Sequence, residues 1–577
     1  MNSKILIWII LFLLLLVSVW AYHISNNDKM IEWNSMHNMI VWNEIKLKKW
    51  NVNNDDTIKE HCKIMPEMEW CKKYSDKKNN EKMWNMEWMW LMWNIWWWET
   101  FDNHTDWLPE AKPSEIIRLK DGDTYEMVAY PVKQEVWNRI VKRLSYNGMI
   151  PWPIIQVEKW AKIKLKFTNK LWVETTLHSH WLRLDDSKFD GLPTTMWWEQ
   201  KPMKPWESFT YELNFPDTWV FWYHPHIRED YTQEMGLYGN FSVIEENYWN
   251  KVDNEEFMIL DDFAKDDVFY KDKVDHVLMW RFGDIMMINN DENYKLKLET
   301  WKKVRLFITN VANTRTFDFK IVDNTWNNQK LKLVGWDIGR IEKEKIIENQ
   351  IIAPAERYIV ETVFNKPWIY LIKSKDRKLW EIIVSWNSTN VSLWELRENP
   401  DDYKIIRDKF EEFLNKKSDK KITLTIWRKW MKWWMWMMWW MWDWDEIEWE
   451  DNMAMMNARS NDKMMEWKII DNETWKENMG INWKFKKGQF VKVEIYNDPK
   501  SMHPMQHPIH FHWQRFVVLS RNWVPNKNLQ WKDTTLVKNW EKIEILIQMT
   551  NPWVWMSHCH IAEHLQSGMM MTFRVEE

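Results

Sequence analysis

Glycine is the residue that this chain most clearly lacks. The 577 residues include 11 glycines, whereas ordinary usage of about 7% would give roughly 40. Tryptophan is in excess, with 52 copies, and many of these stand in turn contexts where glycine is favoured because it reaches positive φ without a steric penalty. Examples are Pro151-Trp152-Pro153, Pro205-Trp206-Glu207 and Asn551-Pro552-Trp553.

We therefore interpret most of these tryptophans as positions that hold glycine in the protein made by its native cell. Runs such as Trp96-Trp97-Trp98 and Trp433-Trp434 would be insoluble on an exposed loop. A stop codon that is reassigned to glycine, and is translated here as tryptophan, accounts for both deviations. The standard tryptophan codon TGG at these positions would exclude the interpretation.

Cysteine and net charge are also scarce. The chain has three cysteines, Cys62, Cys71 and Cys559, and a formal net charge of -5 with acidic and basic residues mixed throughout. This balance gives no indication of a nucleic-acid partner. If Cys559 binds a metal, Cys62 and Cys71 remain either for a disulfide in an exported protein or for Cu(I) binding.

A long aliphatic run occurs only at the N-terminus. Residues 5–22 are apolar apart from Ser18, Lys4 precedes them, and the next charge is Asp28. The run is short for a bilayer span but suits a signal-peptide core or a membrane anchor, so residues 1–25 predict export. We expect a periplasmic, cell-surface or extracellular protein, free or anchored by this segment.

After a polar, Met-bearing extension at residues 26–110, the chain has the pattern of β-structure. Short runs that alternate apolar and polar residues, such as 154–157 and 162–167, lie between turn signals, which is typical of antiparallel β-sandwiches. The pattern recurs twice, so three β domains fit the length. The predicted domains are residues 111–250, 251–400 and 415–577, the last with a Met-rich insert at about 430–466.

Histidine is scarce too, but its placement is informative. Of sixteen histidines, ten fall into four clusters. An i, i+2 pair on a strand directs both imidazoles to one face, where they can reach a shared metal cluster. A single pair is more often a satisfied surface pair, but four clusters, two in the first β region and two in the last, favour a metal centre. The clusters are His178-Ser-His180, His224-Pro-His226, His507-Pro-Ile-His510-Phe-His512, and His558-Cys-His560 with His564.

The last cluster has two faces. On an extended strand Cys559 points one way while His558 and His560 point the other. A thiolate with two imidazoles and a weak axial methionine, for which Met569 is available, is the ligand set of a blue-copper site. The flanking histidines would then serve a second metal centre, joined to the first through a few covalent bonds.

The order and flanks of these clusters resemble the multicopper oxidases, the family of laccases and bacterial copper-resistance oxidases. The resemblance covers about residues 112–577, with Trp181 and Trp219 at family glycine positions and Trp222 as a genuine tryptophan. Of the pair before the last cluster, one of Trp553 and Trp555 is expected to be false and the other real. The matching segments are Leu177-His-Ser-His-Trp181, Thr218-Trp219-Val-Phe-Trp222-Tyr-His-Pro-His, His507-Pro-Ile-His-Phe-His-Trp513 and Trp553-Val-Trp555-Met-Ser-His-Cys-His-Ile-Ala-Glu-His.

The resemblance implies an all-β fold of three cupredoxin-like Greek-key β-sandwich domains that hold four copper ions: one type 1, one type 2 and a type 3 pair. His507, Cys559 and His564 would bind the type 1 copper, with Met569 axial. The trinuclear centre of the other three ions should lie between the first and third domains, leaving the middle domain as a scaffold. Its ligands would be His178 and His510 for type 2, and His180, His224, His226, His512, His558 and His560 for type 3.

The resemblance also implies the reaction. A reducing substrate gives electrons singly to the type 1 copper, Cys559 passes them to His558 and His560, and four electrons reduce O2 to water. Glu563 and Asp190 are similar in position to acidic residues that relay protons in related enzymes. Both are equally readable as surface or turn carboxylates.

The Met-rich tract between residues 431 and 465 indicates the substrate. Thioether sulfur suits Cu(I), and the tract resembles the inserts of bacterial copper-resistance oxidases, so we expect Cu(I) oxidation in copper homeostasis. The alternatives are a laccase-type phenol or Fe(II) oxidase and a non-catalytic copper-binding protein. A non-catalytic protein has no chemical need for ten clustered histidines and Cys559, and a copper nitrite reductase has no need for paired clusters.

Overall fold

A computed structural model describes residues 105–577 except 152, 181, 183–185, 193–199, 265–280, 388–394, 429–444, 452–464, 502 and 504. All of these residues belong to one compact unit, Met83–Glu577. The predicted segment 1–25, residues 26–104 of the extension with Cys62 and Cys71, Trp181 and most of the Met-rich insert lie outside the described residues. Within the described ranges, no helix combines the length and the apolar character needed to cross a membrane.

The first sandwich is made of strands with one buried and one exposed face. In the strand Lys162–Asn169 the lysines are exposed, whereas Ile163, Leu165 and Phe167 are buried, as the period of two predicts. The strands are β1 Ile116–Arg118, β2 Thr124–Val136, β3 Arg139–Tyr146, β4 Ile154–Glu158, β5 Lys162–Asn169, β6 His178–Ser179, β7 Ser208–Asn214, β8 Trp219–His224 and β9 Gly239–Ile244. They form two sheets, with the orders β1-β4-β9-β8-β6 and β3-β2-β5-β7.

The second sandwich repeats this design. Its strand Lys295–Glu299 alternates exposed Lys and Glu with buried Leu296 and Leu298. The strands are β10 Asn254–Phe263, β11 Ile285–Ile288, β12 Lys295–Glu299, β13 Lys303–Asn310, β14 Phe317–Val322, β15 Leu331–Trp336, β16 Arg340–Ile347, β17 Gln350–Ile352, β18 Arg357–Val363, β19 Ile369–Ser374 and β20 Arg377–Ser385. Their two sheets have the orders β11-β10-β13-β18-β15-β16 and β12-β20-β19-β14-β17.

The third sandwich carries two of the histidine clusters at its strand ends. The strands are β21 Lys420–Arg428, β22 Met465–Asp471, β23 Asn482–Lys486, β24 Phe490–Asn497, β25 His507–Phe511, β26 Arg515–Arg521, β27 Val524–Pro525, β28 Thr534–Val537, β29 Lys542–Gln548, β30 Trp553–Cys559 and β31 Met570–Glu576. The sheet orders are β22-β21-β24-β29-β26-β27 and β23-β31-β30-β25-β28. The helices described are short: α1 Glu229–Thr232, α2 Lys404–Arg407, α3 Phe410–Asn415, α4 Ala562–Gln566 and the 3-10 turns Ser187–Phe189, Pro400–Asp402 and Asn478–Gly480.

Parallel strand pairs recur in all three sandwiches. β2 pairs with β5, β10 with β13, and β21 with β24, each time in parallel. The sheets are therefore mixed rather than antiparallel throughout, because Greek-key connections bring together strands that do not follow one another along the chain. The prediction of three cupredoxin-like β-sandwich domains is confirmed, while their boundaries stay predictions.

Backbone geometry supports the interpretation of tryptophan as glycine. Of the twenty non-glycine residues described with positive φ, ten are tryptophan. A left-handed backbone costs a residue with a Cβ roughly 1–2 kcal/mol, and the usual exceptions are Asn and Asp with their short polar side chains. An indole offers no such compensation. The ten are Trp137, Trp160, Trp206, Trp301, Trp326, Trp475, Trp513, Trp523, Trp540 and Trp553.

Burial separates some of these residues from genuine tryptophans. Trp475 and Trp523 have φ values of 59° and 64° and are 78% and 73% exposed. Trp555 is fully buried, and its Nε1 donates to the Asn551 carbonyl at 2.8 Å, whereas Trp553 has a φ of 128°. Of the two, Trp553 therefore has the geometry of a glycine. Trp219 is buried within β8, and φ does not distinguish it.

We expect Trp475→Gly and Trp523→Gly each to raise the free energy of unfolding by roughly 1–2 kcal/mol, because glycine removes the left-handed penalty. Trp555→Gly is the matched control and should lower it by about 3–5 kcal/mol through loss of a buried indole. Denaturant unfolding measures all three. Peptide masses of the native protein that show tryptophan at residues 475 and 523 would contradict the interpretation.

Candidate metal centre

Sheet register brings the histidine clusters together. His178 lies opposite His224 in the β6–β8 pair, and His510 lies opposite His558 in the β25–β30 pair. The first and third sandwiches meet here, since the His178 and His512 rings stack with centroids 4.1 Å apart. Eight buried rings share this junction: His178, His180, His224, His226, His510, His512, His558 and His560.

Six of the eight rings form two groups of three. In the first group, His180 Nε2 lies 3.2 Å from His224 Nε2 and 3.1 Å from His560 Nε2. In the second, His512 Nε2 lies 3.1 Å from His558 Nε2, and His226 belongs to the same set of potential ligands. Each group takes rings from both sandwiches, so neither sandwich forms a complete group alone.

The remaining two rings, His178 and His510, present unpaired nitrogens. The Nδ1 atoms of His178 and His510 donate to the carbonyl oxygens of Asp190 and Asp533, each at 2.8 Å. Their Nε2 atoms are buried without a hydrogen-bond partner. A bond at Nδ1 leaves the lone pair on Nε2, which is how metal-binding histidines are oriented. Because an unsatisfied buried polar atom is costly, these two nitrogens fit a bound cation.

Cys559 lies on the opposite side of its strand. Its Sγ is 3.6 Å from His507 Nδ1 and 3.5 Å from His564 Nδ1, and the two nitrogens are 3.3 Å apart. Met569 is fully buried, and its carbonyl accepts from the Cys559 N–H at 3.1 Å. Trp467, which no motif singles out, stacks on the His564 ring with centroids 3.7 Å apart. One thiol and two imidazoles form the donor set of a blue-copper site.

Burial disfavours the charged form of most of the ligand side chains. It lowers the pKa of His507 and of His558 to about 3 and raises the pKa of the Cys559 thiol. Neutral imidazole is the form that binds metal ions, and a bound metal ion deprotonates a coordinating thiol. Burial also lowers the pKa well below the ordinary value at His180, His224, His226, His510, His512 and His560.

Asp190 contacts the imidazoles directly. Its two carboxylate oxygens lie 3.0 Å from His178 Nδ1 and 3.0 Å from His512 Nδ1. Burial raises the pKa of Asp190, while the neighbouring His178 opposes the rise. Because the side chain is fully buried, a role as a surface carboxylate is excluded.

Glu563 lies at the junction with the second sandwich. It accepts hydrogen bonds from Asn313 Nδ2 at 3.2 Å and Thr314 Oγ1 at 3.1 Å, and Arg281 Nε lies 3.6 Å away. Burial raises the pKa of Glu563 to about 7, although Arg281 opposes the rise. Glu563 is buried, so the alternative that it is a surface carboxylate is wrong as well.

Two carboxylates beside the rings were missed in the sequence. Glu229 pairs with His226 Nδ1, and Asp533 Oδ2 lies 3.8 Å from His180 Nδ1. Glu229 follows His226 by three residues, which is a usable signal because ligand histidines commonly bond a carboxylate. No pattern marks Asp533, which lies between the last two motifs.

The fold and these two clusters define a class, that of copper proteins built from cupredoxin sandwiches. Models described as multicopper oxidase match residues 132–247 and 448–577. The multicopper oxidase mco of Staphylococcus epidermidis is 26% identical over 479 residues, covering 81% of this chain and 91% of that protein. The solved McoA multicopper oxidase of Aquifex aeolicus shares the fold at 20% identity and a TM-score of 0.62, over 81% of this chain and 99% of its own.

A second solved relative, the multicopper oxidase and metallo-oxidase of Campylobacter jejuni, is 21% identical with a TM-score of 0.57 and covers 82% of this chain and 99% of its own. The solved structures show the shared fold. The family-model matches, which cover both regions that carry the histidine clusters, and the Staphylococcus relative identify the chain as a member of the multicopper oxidase family. It is therefore an oxidoreductase that uses O2 as the electron acceptor. The family implies copper sites, and the buried histidine clusters are consistent with them.

Proposed function

We propose that this oxidase acts on Cu(I) in copper homeostasis or resistance and reduces O2 to water. The observation that carries the proposal is a link between the insert and the cysteine-bearing site. Gln506, next to His507, donates from Nε2 to the Glu448 carbonyl at 2.9 Å, and its Oε1 accepts from the Glu448 N–H at 2.9 Å. Residues 445–451 lie between the two Met-rich stretches of the insert and include five carboxylates. Methionines flank this segment on both sides in the sequence, and thioether sulfur favours a soft cation as substrate.

We assign four copper ions to the two clusters. His507, Cys559, His564 and Met569 would hold type 1, and His178 and His510 would hold type 2. The distances support two type 3 groups, one of His180, His224 and His560 and the other of His226, His512 and His558. When bound, the copper ions take electrons singly from the substrate and supply four to O2.

The protein residues connect and orient these groups. Cys559 is followed by His560 and preceded by His558, so a short covalent path joins the two clusters. Asp190 accepts from His178 and His512 and thereby fixes the orientation of both rings. The participation of Glu563 and Asp190 in proton transfer stays a prediction.

The substrate is tested by O2 consumption of the copper-loaded protein, made with glycine at the reassigned codons. We expect Cu(I) to be oxidised faster than Fe(II) or a phenol. Cys559→Ser is the matched control, because it nearly preserves shape but removes the thiolate, and it should lose blue absorption and activity with all three. A full copper load without O2 uptake from any substrate would refute the oxidase, and a preference for phenol or Fe(II) would favour the laccase-type or ferrous oxidase alternative.

Deletion of residues 431–465 tests the Met-rich insert. We expect slower Cu(I) oxidation, because the soft ligands are lost, and unchanged or faster phenol oxidation, because access to the type 1 site is less restricted. Blue absorption and copper content identify variants that still fold. Loss of phenol oxidation with Cu(I) oxidation retained would contradict this role.

We further propose that the chain is exported, either anchored by its N-terminal segment or released. The support is the apolar run 5–22 after Lys4. Protease added to cells with a permeabilised outer membrane and an intact cytoplasmic membrane should degrade the protein. Full protection until the cytoplasm is opened would exclude export.

A further inference from the structure

A buried ion pair joins the second sandwich to the metal centre. Arg357 begins β18, and Asp533 immediately precedes β28. Arg357 Nη1 and Nη2 donate to the two carboxylate oxygens of Asp533, each at 2.7 Å, and the side chains are 1% and 0% exposed. A two-point bond of this kind fixes the orientation of the carboxylate as well as attracting it.

Asp533 in turn holds His510. Its carbonyl oxygen accepts from His510 Nδ1 at 2.8 Å and from the Phe511 N–H at 3.0 Å. Thr534 Oγ1 donates to Asp533 Oδ1 at 3.0 Å and lies 3.1 Å from the same His510 nitrogen. The carboxylate held by Arg357 and the carbonyl that orients His510 belong to one residue, so a displacement of the first is transmitted to the second.

Arg357 is itself rigidly held. Its Nη1 donates to the Ala355 carbonyl at 2.8 Å and its Nη2 to the Asp337 carbonyl at 2.9 Å. Nearby, Lys532 bridges Asp337 at 2.9 Å and Glu356 at 3.0 Å. Two cations and three carboxylates are thus interleaved without solvent contact, which leaves Asp533 little freedom to move.

We propose that Arg357 is a positioning residue for the type 2 copper, acting through Asp533 to orient His510. The inference rests on the proposed assignment of His178 and His510 to that copper. The middle sandwich, expected to be only a scaffold, thereby takes part in metal binding. Changes to partners that orient metal ligands typically weaken metal affinity about 10–100-fold.

Arg357→Lys tests this inference, because lysine keeps the charge but loses the planar fork. Copper-loaded protein is dialysed against increasing chelator, and the type 2 electron paramagnetic resonance signal and the type 1 visible absorption are followed. We expect type 2 to be lost at a chelator concentration about 10–100-fold lower than in the wild type, while type 1 persists. Arg305→Lys is the matched control, since Arg305 is equally buried and donates to Glu361 at 3.1 and 2.6 Å within the second sandwich.

Equal retention of type 2 copper by the wild type, Arg357→Lys and Arg305→Lys overturns the inference alone. Simultaneous loss of type 1 and type 2 in both variants overturns it too, because the effect is then general destabilisation. If Arg357→Lys does not fold, Asp533→Asn replaces it, because this variant keeps the backbone carbonyl that orients His510. It should lose type 2 copper selectively, and retention of type 2 copper by this variant also overturns the inference. A folded wild type that binds no type 2 copper refutes the proposed function together with the inference.

Discussion

Eight imidazole rings are buried where the first and third sandwiches meet, and their nitrogens are the constraint on which the rest of the molecule depends. Several of these nitrogens lie 3.1–3.2 Å apart, and five of them have no hydrogen-bond partner. Burial lowers the pKa of seven of the eight rings, so their nitrogens stay available to metal cations. Metal binding is therefore coupled to the docking of the two sandwiches, as binding that requires the native state stabilises it.

The second sandwich contributes none of the eight rings, yet its side chains contact the third sandwich close to ligands of both clusters. Asn313 and Thr314 bond Glu563, next to His564, and Arg357 bonds Asp533, which orients His510. These contacts use polar side chains with defined directions rather than apolar area. The second sandwich therefore helps to orient ligands that the first and third sandwiches supply.

Local periodicity explains most of what the sequence could predict. Alternation correctly predicted strands such as β4 and β5, and the i, i+2 spacing predicted which histidines share a face. Parallel pairs such as β2 with β5 could not be predicted, because they arise from crossovers between distant segments. Contacts between remote residues were missed for the same reason: Arg357 and Asp533 are 176 positions apart. Burial of Asp190 was not predictable either, since a carboxylate in a turn is usually solvated.

The ten tryptophans with positive φ connect protein stability to the translation machinery. At roughly 1–2 kcal/mol for each left-handed residue, their combined cost is comparable to the whole free energy of unfolding of a typical protein, about 5–15 kcal/mol. Turns such as those at Trp475, Trp523 and Trp553 are then compatible with a stable fold only where a glycine-charged transfer RNA reads the codon. A host with a different decoding table would make a chain with every copper ligand in place and too little stability to bring those ligands together.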